Sequence, residues 1–172
     1  HLHDVLVRQL HRDFVHAGSD VVEAFTYYAH RAKLRMVGRE EDLARINRTA
    51  LRIAKKVARS TGTLLAGDIC NTSIYDPSEP KSHKQVRRIF DEQIEWAVEA
   101  GVDFIVAETY AFGSEALLAD DLPLQRLEHL AHLPLLLHLP IERSARLHLD
   151  HIVALPVYVA RRRMMKNFYR RQ

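Results

Sequence analysis

The stretch "GVDFIVAETYAFG", residues 101–113, decides the fold of this chain. A glycine precedes an apolar run from Val102 to Ala107, and the run ends on a carboxylate, Glu108. A short apolar run behind a turn residue is typical of a strand buried on both faces, as in a parallel sheet. We therefore predict a buried strand that ends at Glu108.

The same arrangement occurs twice earlier, in "HAGSDVVEAFTYYA" around Gly18 and in "STGTLLAGDICN" around Gly62. Each glycine follows a helical pattern and is expected to end that helix, because glycine adopts the left-handed conformation without a steric penalty. The clearest helix lies between Pro80 and Gly101, where Ser82 and Gln85 are predicted to form a capping box. The apolar residues of this segment fall on one helical face: Val86, Ile89, Phe90, Ile94 and Ala97.

Helix and strand therefore alternate with a period of roughly 40 residues, which indicates repeated βα units. An open doubly wound sheet and a closed (β/α)8 barrel both use such units. No glycine-rich phosphate loop follows the first strand, which argues against a nucleotide-binding doubly wound sheet. We predict an α/β fold, a partial (β/α)8 TIM barrel of about three to four βα units. The partial barrel domain covers 1–119, and 120–172 form a divergent Leu/His/Pro-rich and basic tail, in which "LPLLLHL" (133–139) is a candidate strand.

Composition narrows the class of protein. The chain has 172 residues, of which 47% are hydrophobic and 27% charged, as expected for one globular domain. Its single cysteine, Cys70, excludes an internal disulfide and a cysteine-rich metal site built by this chain alone. No apolar run is long enough for a membrane span and no signal-peptide pattern is present, so we expect a cytoplasmic protein. The basic end, residues 160–172, has no recognised nucleic-acid-binding module beside it, so nucleic acid is not an expected partner.

In a (β/α)8 barrel the chemistry lies at the carboxyl ends of the strands. The predicted strand ends carry polar side chains in all three units. A glutamate in the position of Glu108 can act as a general base, a metal ligand or a partner for a ligand ammonium group. A structural carboxylate paired within the protein is the alternative. The residues at the three predicted strand ends are Phe25, Thr26, Tyr27 and Tyr28; Asp68, Ile69, Cys70 and Asn71; and Glu108, Thr109 and Tyr110.

Three segments together resemble the homocysteine-binding domain of the homocysteine S-methyltransferases, especially the betaine-using branch. They are "VRQLHRDFVHAGSDVVEAFTYYAHRAKL", "LLAGDICNTSIYDP" and "AGVDFIVAETYAFGSEALLA", in order, between Val5 and Ala119. The resemblance implies a zinc-dependent barrel that transfers a methyl group from a small donor to the sulfur of homocysteine. It implies that Glu108 holds the homocysteine amino group, that Tyr28 contacts the methyl donor, and that Thr26 and Asn71 line the same mouth. Homocysteine and a methyl donor are the expected partners.

Two features of the family are missing from this sequence. The family takes its zinc ligands from three cysteines, in a Gly-Val-Asn-Cys-like and a Gly-Gly-Cys-Cys-like segment, and neither segment occurs here. The Asp-Gly-Gly motif of the family's first strand is also absent. We therefore expect a barrel without its first strand and last strands, and we assign no metal ligand and no catalytic residue. Thr109 and Ala24 replace a tyrosine and a threonine of the betaine-using members, which leaves betaine, S-methylmethionine and another methylated amine open as donors.

Other interpretations compete with an active, truncated methyltransferase. One is a non-catalytic homocysteine-binding remnant, and another is a (β/α) barrel lyase that uses Glu108 as a base, for which Asp68 is the candidate second carboxylate. Cys70 has no histidine partner in the order that a cysteine nucleophile needs. Unpaired strand edges of an open barrel predict an oligomeric or poorly soluble chain. Two histidine pairs have the spacing of some zinc sites: His129 with His132, and His148 with His151.

Overall fold

The structure is a computed structural model and describes residues 2–120 and 135–138. Helices and strands alternate along the described chain, as predicted. The elements in order are α1 (Leu2–His16), β1 (Val21–Glu23), α2 (Arg31–Met36), a 3-10 turn (Glu40–Asp42), α3 (Leu43–Thr61), β2 (Leu64–Cys70), α4 (Pro80–Ala100), β3 (Phe104–Glu108), α5 (Gly113–Asp120) and β4 (Leu135–His138).

The four strands form one parallel sheet in the order β1-β2-β3-β4. Each strand pairs with the next strand along the chain, whereas a doubly wound sheet reverses direction at a switch point. The predicted α/β class with a parallel sheet is confirmed. Closure into a partial barrel, and the boundary between 1–119 and 120–172, stay predictions. The candidate strand within 133–139 is confirmed as β4, which pairs with β3.

The two faces of the sheet have different neighbours. One face packs against α3 and α4 and holds most of the core, because their apolar faces meet the strand residues that point to that side. On the opposite face, which we call the inner face, a small apolar layer consists of Ala66, Phe104 and Val106, with Val21 and Leu64 packed against it. The inner face is the one that a barrel would enclose.

Glycines end the two long helices, as the sequence predicts. Gly62 and Gly101 follow α3 and α4 with φ of 71° and 73°, and their N–H groups bond back into the last helical turn. The predicted capping box of α4 is wrong. Glu79 is the N-cap and accepts a hydrogen bond from the N–H of Lys81 at 3.0 Å. The Ser82 hydroxyl instead donates to the carbonyl of Asp76 at 2.9 Å.

Gly67, in the middle of β2, allows α4 to approach the sheet closely. A Cβ atom at this position would lie 2.8 Å from Cδ1 of Ile105 and 2.9 Å from Cβ of Ala97. Both distances are shorter than carbon atoms tolerate, so only glycine fits here without movement of the helix or the neighbouring strand. Among the helices of the described residues, none is long and apolar enough to cross a membrane.

Candidate substrate-binding site

Three neighbouring strands each place a carboxylate on the inner face near their carboxyl ends. Glu23 is the last residue of β1, Asp68 lies two residues before the end of β2, and Glu108 is the last residue of β3. The strand register pairs Glu23 with Ala66, which lies two residues before Asp68. It pairs Asp68 with Val106, which lies two residues before Glu108. Since side chains alternate between faces, all three acids share the face of Ala66 and Val106.

One oxygen from each of these three carboxylates lies within 4.8 Å of the other two. We call Glu23, Asp68 and Glu108 the carboxylate cluster. Asp68 is buried, with 4% of its surface exposed, while Glu23 and Glu108 are half-buried. The Oδ1 atom of Asp68 is buried and has no hydrogen-bond partner among the described residues.

Burial and mutual repulsion change the protonation of the cluster. Burial, together with repulsion from the nearby carboxylates of Glu23 and Glu108, raises the pKa of Asp68 to about 8. Burial, with repulsion from Glu108, raises the pKa of Glu23 to about 7. At neutral pH the cluster therefore retains protons that isolated carboxyl groups would have lost. Such a site can exchange protons with a ligand or bind a cation in their place.

Hydrogen bonds connect the loops that follow the three strands. The Thr26 hydroxyl donates to the backbone carbonyl of Asp68 at 3.1 Å, and the N–H of Tyr28 donates to Sγ of Cys70 at 3.3 Å. Farther along the rim, the Asn71 side chain donates to the carbonyl of Thr109 at 2.9 Å. The loop after β1 is thus fixed to β2, and the loop after β2 is fixed to the end of β3.

Tyr28 lies at this rim with a partly exposed ring. A hydrogen bond with the Asn71 side chain holds the pKa of Tyr28 below its usual value, with a further contribution from Tyr27. The Lys33 ammonium lies 4.3 Å from the centre of the Tyr28 ring, and the Tyr27 ring lies 4.4 Å from it at an angle of 50°. The Tyr28 ring therefore already interacts with one cation through its π system.

Each of the three loops contains a non-glycine residue with a left-handed backbone. The φ angles are 57° at Tyr28, 61° at Ser73 and 59° at Thr109. Such angles are uncommon outside glycine, and for a β-branched residue such as Thr109 they are strained. The Thr109 hydroxyl forms hydrogen bonds with Tyr27 at 2.9 Å and with the carbonyl of Glu108 at 2.7 Å. Strained residues at a rim of this kind are typical of functional sites.

The structure places the four residues assigned by resemblance on one rim, in two groups. Asn71 and Tyr28 contact each other, and Thr26 supports the backbone of Asp68. Glu108 belongs to the carboxylate cluster. Sequence reasoning missed Glu23, which lies one strand earlier, on the face that Asp68 and Glu108 share. The histidine pairs, at 129 and 132 and at 148 and 151, lie outside the described residues.

Cys70 does not have the environment of a nucleophile or of a zinc-bound thiolate. Its side chain is fully buried, and this burial raises the pKa of the thiol to about 12. A thiolate that reacts or binds metal needs a lowered pKa. Cys70 is also the only cysteine of the sequence, so this chain does not contain the three-cysteine zinc set that the family resemblance implies. The residues present do not fit that zinc site.

The fold and the site define a class of protein: a parallel βα protein with its polar groups at the carboxyl ends of its strands, as in the barrel enzymes. The family model for homocysteine S-methyltransferase matches residues 2–154. The chain belongs to the homocysteine S-methyltransferase family. The resemblance deduced from the three quoted segments is thereby confirmed.

Curated relatives and solved structures agree with this family. The chain is 38% identical over 121 residues to betaine–homocysteine S-methyltransferase 1 of Bos taurus, which covers 68% of this chain and 29% of the relative. It is 37% identical to the Sus scrofa protein of the same name, covering 68% of this chain and 43% of that protein. The homocysteine methyltransferase MmuM of Escherichia coli, in its metallated form, superposes with a TM-score of 0.60 at 20% identity, covering 74% of this chain and 49% of that one. The chain thus spans less than half the length of these two relatives, and the MmuM likeness concerns the fold alone.

Proposed function

We propose that this chain supplies the homocysteine-binding part of an enzyme that transfers a methyl group from a small donor to the sulfur of homocysteine. Family membership supports the reaction class, because the family is that of homocysteine S-methyltransferases. The chain spans about three tenths of the length of the Bos taurus relative. We propose further that the sheet is part of a barrel that needs strands beyond the four described ones to close.

The observation that carries the proposal is the position of Glu108. It is the last residue of β3, it lies on the inner face, and two further carboxylates are within 4.8 Å. The amino group of homocysteine is a cation at neutral pH. An ammonium group bound by Glu108 would bring positive charge to a cluster whose acids repel one another, and would form charge-assisted hydrogen bonds in a partly buried site.

Tyr28 is the residue that we assign to the methyl donor. Betaine carries a quaternary ammonium group and S-methylmethionine a sulfonium group, and an aromatic ring attracts cations of either kind. Thr26 and Asn71 act as positioning residues, because one is bonded to the backbone of Asp68 and the other to the backbone that follows Glu108. Together they set the distance between bound homocysteine and the bound methyl donor.

Activation of the thiol is not assigned to this chain. In the family, zinc supplies it when bound, by coordinating the sulfur and lowering its pKa. The residues present here do not fit the three-cysteine site, as described above for Cys70. We therefore assign to this chain the binding and orientation of homocysteine, together with exclusion of water by the apolar layer of Ala66, Phe104 and Val106 below the cluster.

The test is calorimetric titration of the 172-residue chain with homocysteine and with its analogue that lacks the amino group. Glu108→Gln is expected to weaken homocysteine binding by roughly 10- to 100-fold, because a charge-assisted hydrogen bond contributes about 1.5–3 kcal/mol. Binding of the analogue should change little. Glu95→Gln, on the exposed face of α4, is the matched control. Equal losses for both ligands, or none for either, would refute the assignment of Glu108 to the amino group.

A lyase that uses Glu108 as a base is the second candidate, and one observation favours it. Such an enzyme needs a lysine or a second carboxylate at the strand ends, and both Asp68 and Glu23 lie beside Glu108. A pKa of about 7 suits Glu23 for proton transfer at neutral pH. Exchange of carbon-bound hydrogen for deuterium in a small 2-oxo acid, abolished by Glu108→Gln, would support a lyase. Homocysteine binding without methyl transfer would instead support a non-catalytic remnant.

A further inference from the structure

The carboxylate cluster combines three acids with no positive partner in the described part of the chain. The arginines that form ion pairs at 4 Å or less in the described part of the chain pair with other acids, among them Asp4, Glu40, Asp42, Glu92 and Glu99. Lys33, the cation at the rim, lies over the ring of Tyr28. Three carboxylates that face each other without a counter-charge can all be ionised at low cost only when a cation joins them.

Asp68 adds an independent observation that concerns hydrogen bonding rather than charge. Its side chain is 96% buried, since 4% of its surface is exposed, and its Oδ1 atom has no donor among the described residues. Buried acceptors are almost always satisfied, and an unsatisfied one costs about 1–3 kcal/mol. The nearby hydroxyl of Thr26 does not serve it, because it donates to the backbone carbonyl of Asp68 instead. Oδ1 is therefore an acceptor without a partner, within a group of acids.

We propose that the carboxylate cluster binds a divalent metal cation of the kind that prefers oxygen ligands, such as Mg²⁺, Mn²⁺ or Ca²⁺. Carboxylate oxygens are the ligands these ions select, whereas the zinc chemistry of the family relies on thiolates. An ion with metal–oxygen distances of about 2.1–2.5 Å holds neighbouring ligands roughly 3 to 3.5 Å apart. The oxygens already lie within 4.8 Å of one another, and the long side chains of Glu23 and Glu108 are half-buried and able to close around an ion.

The metal ion would displace the protons that the cluster retains, satisfy Oδ1 of Asp68 and neutralise two of the three carboxylate charges. Such binding goes beyond the proposed methyl transfer and does not depend on it. Because both ligands use Glu108, the metal ion and homocysteine are expected to compete. Raising the Mn²⁺ concentration should then weaken homocysteine binding to the chain, while the two ligands can each be tested alone.

The experiment is a Mn²⁺ titration of the 172-residue chain in 0.1 M KCl, followed by the electron paramagnetic resonance signal of the free ion. We expect one saturable site per chain, and displacement of Mn²⁺ by Mg²⁺ or Ca²⁺. Asp68→Asn should weaken Mn²⁺ binding at least about tenfold, since even residues that merely support a metal ligand contribute that much. The exposed-site variant Glu95→Gln removes one acid from the surface of α4 and should leave the affinity unchanged.

Three results would overturn the proposal: no saturable binding, equal losses in Asp68→Asn and Glu95→Gln, or no loss in Asp68→Asn. Circular dichroism of each variant establishes that it folds. If Asp68→Asn does not fold, Glu23→Gln takes its place with the same expectation, because Glu23 is half-buried and glutamine has nearly the same shape. Loss of homocysteine binding in Glu108→Gln without any Mn²⁺ site would refute the metal proposal and leave the proposed function standing.

Discussion

The substitution Asp68→Asn is expected to stabilise the metal-free chain at neutral pH and to have no effect in acid. Burial raises the pKa of Asp68 from 3.8 to about 8, with help from the charges of Glu23 and Glu108. Between those two pH values the folded chain holds a proton on Asp68 that the unfolded chain releases. Stability from this group is therefore fully present below pH 3.8 and is lost as the pH rises towards 8. Asparagine has nearly the same shape and is neutral at every pH, so it removes this loss.

The size of the stability change follows from the difference between the pKa values of Asp68 in the unfolded and folded chain. Each pH unit above 3.8 costs the folded state about 1.4 kcal/mol while Asp68 stays protonated, which amounts to about 4 kcal/mol at pH 7. Asp68 is buried, so solvent screening reduces this value little. The variant should thus exceed the parent in free energy of unfolding by up to about 4 kcal/mol at pH 7 and by less than about 1 kcal/mol at pH 4. A weaker pH dependence should remain in the variant, because Glu23 keeps its own raised pKa of about 7.

The assay is urea unfolding followed by circular dichroism, for the parent and for Asp68→Asn, at several pH values from 4 to 8 with EDTA present. EDTA is necessary because a bound metal ion would stabilise the parent and mask the difference. The control is again Glu95→Gln, which should follow the parent at every pH. Parallel pH profiles for the parent and Asp68→Asn would refute the reasoning, because they would mean that Asp68 keeps an ordinary pKa in the folded chain.

Three further predictions test the packing and the assembly of the fold. Gly67→Ala should lower the free energy of unfolding by about 1–3 kcal/mol, because a Cβ atom there meets Ile105 and Ala97; thermal unfolding should show a far smaller effect for Gly113→Ala, where the space is open, and equal effects would contradict the packing argument. Glu115→Ala should lower the free energy of unfolding by about 1–3 kcal/mol, because it removes the carboxylate that accepts from both the N–H and the hydroxyl of Thr72. Glu115→Gln, which keeps an acceptor, should recover part of this loss in the same urea assay, and full stability of the alanine variant would show that these two hydrogen bonds do not stabilise the fold. The chain should associate in a concentration-dependent manner in sedimentation velocity, because among the described strands β1 has no partner on its outer edge, and a monomer at every concentration would contradict this.

Much of the fold could be predicted from the sequence because the residues that end its helices and strands act locally. A glycine after an amphipathic pattern ends a helix for reasons that do not depend on the rest of the protein, and Gly62 and Gly101 do so with the expected left-handed backbone. The apolar run before Glu108 likewise identifies a buried parallel strand and its last residue. Local rules were therefore sufficient to predict the order of helices and strands and the position of Glu108 at the end of its strand.

Glu23 was missed because the end of β1 has no local signal. The apolar residues Ala24 and Phe25 continue the pattern of the strand, so the predicted end lay between Phe25 and Tyr28. In the structure β1 ends at Glu23, and the chain turns as the N–H of Thr26 bonds to the carbonyl of Ala24 at 2.7 Å. The partners of a three-residue strand, not its own sequence, determine where such a strand ends.

The capping box of α4 failed for a related reason. Ser82 has the residue type of an N-cap, but its hydroxyl bonds to Asp76, six residues earlier, and the helix already begins at Pro80. Proline fits the first turn, where its missing N–H has no partner to lose. The sequence contains two start signals within three residues, and only the packing of the preceding loop decides between them.

The left-handed residues of the rim show why the site has to be understood as one unit. Left-handed Tyr28 and Thr109 each cost of order 1–3 kcal/mol, and neither residue type signals such a backbone in sequence. Both are held by neighbouring segments: Tyr28 by the thiol of Cys70 at the end of β2, and Thr109 by Tyr27 and Asn71 of the other two loops. Because the turn at Thr109 directly follows Glu108, these hydrogen bonds also fix the end of β3 and the position of the Glu108 carboxylate. Removal of Asn71 should therefore disturb Glu108 without any direct contact between the two side chains, since the carbonyl of Thr109 would lose the donor that holds it.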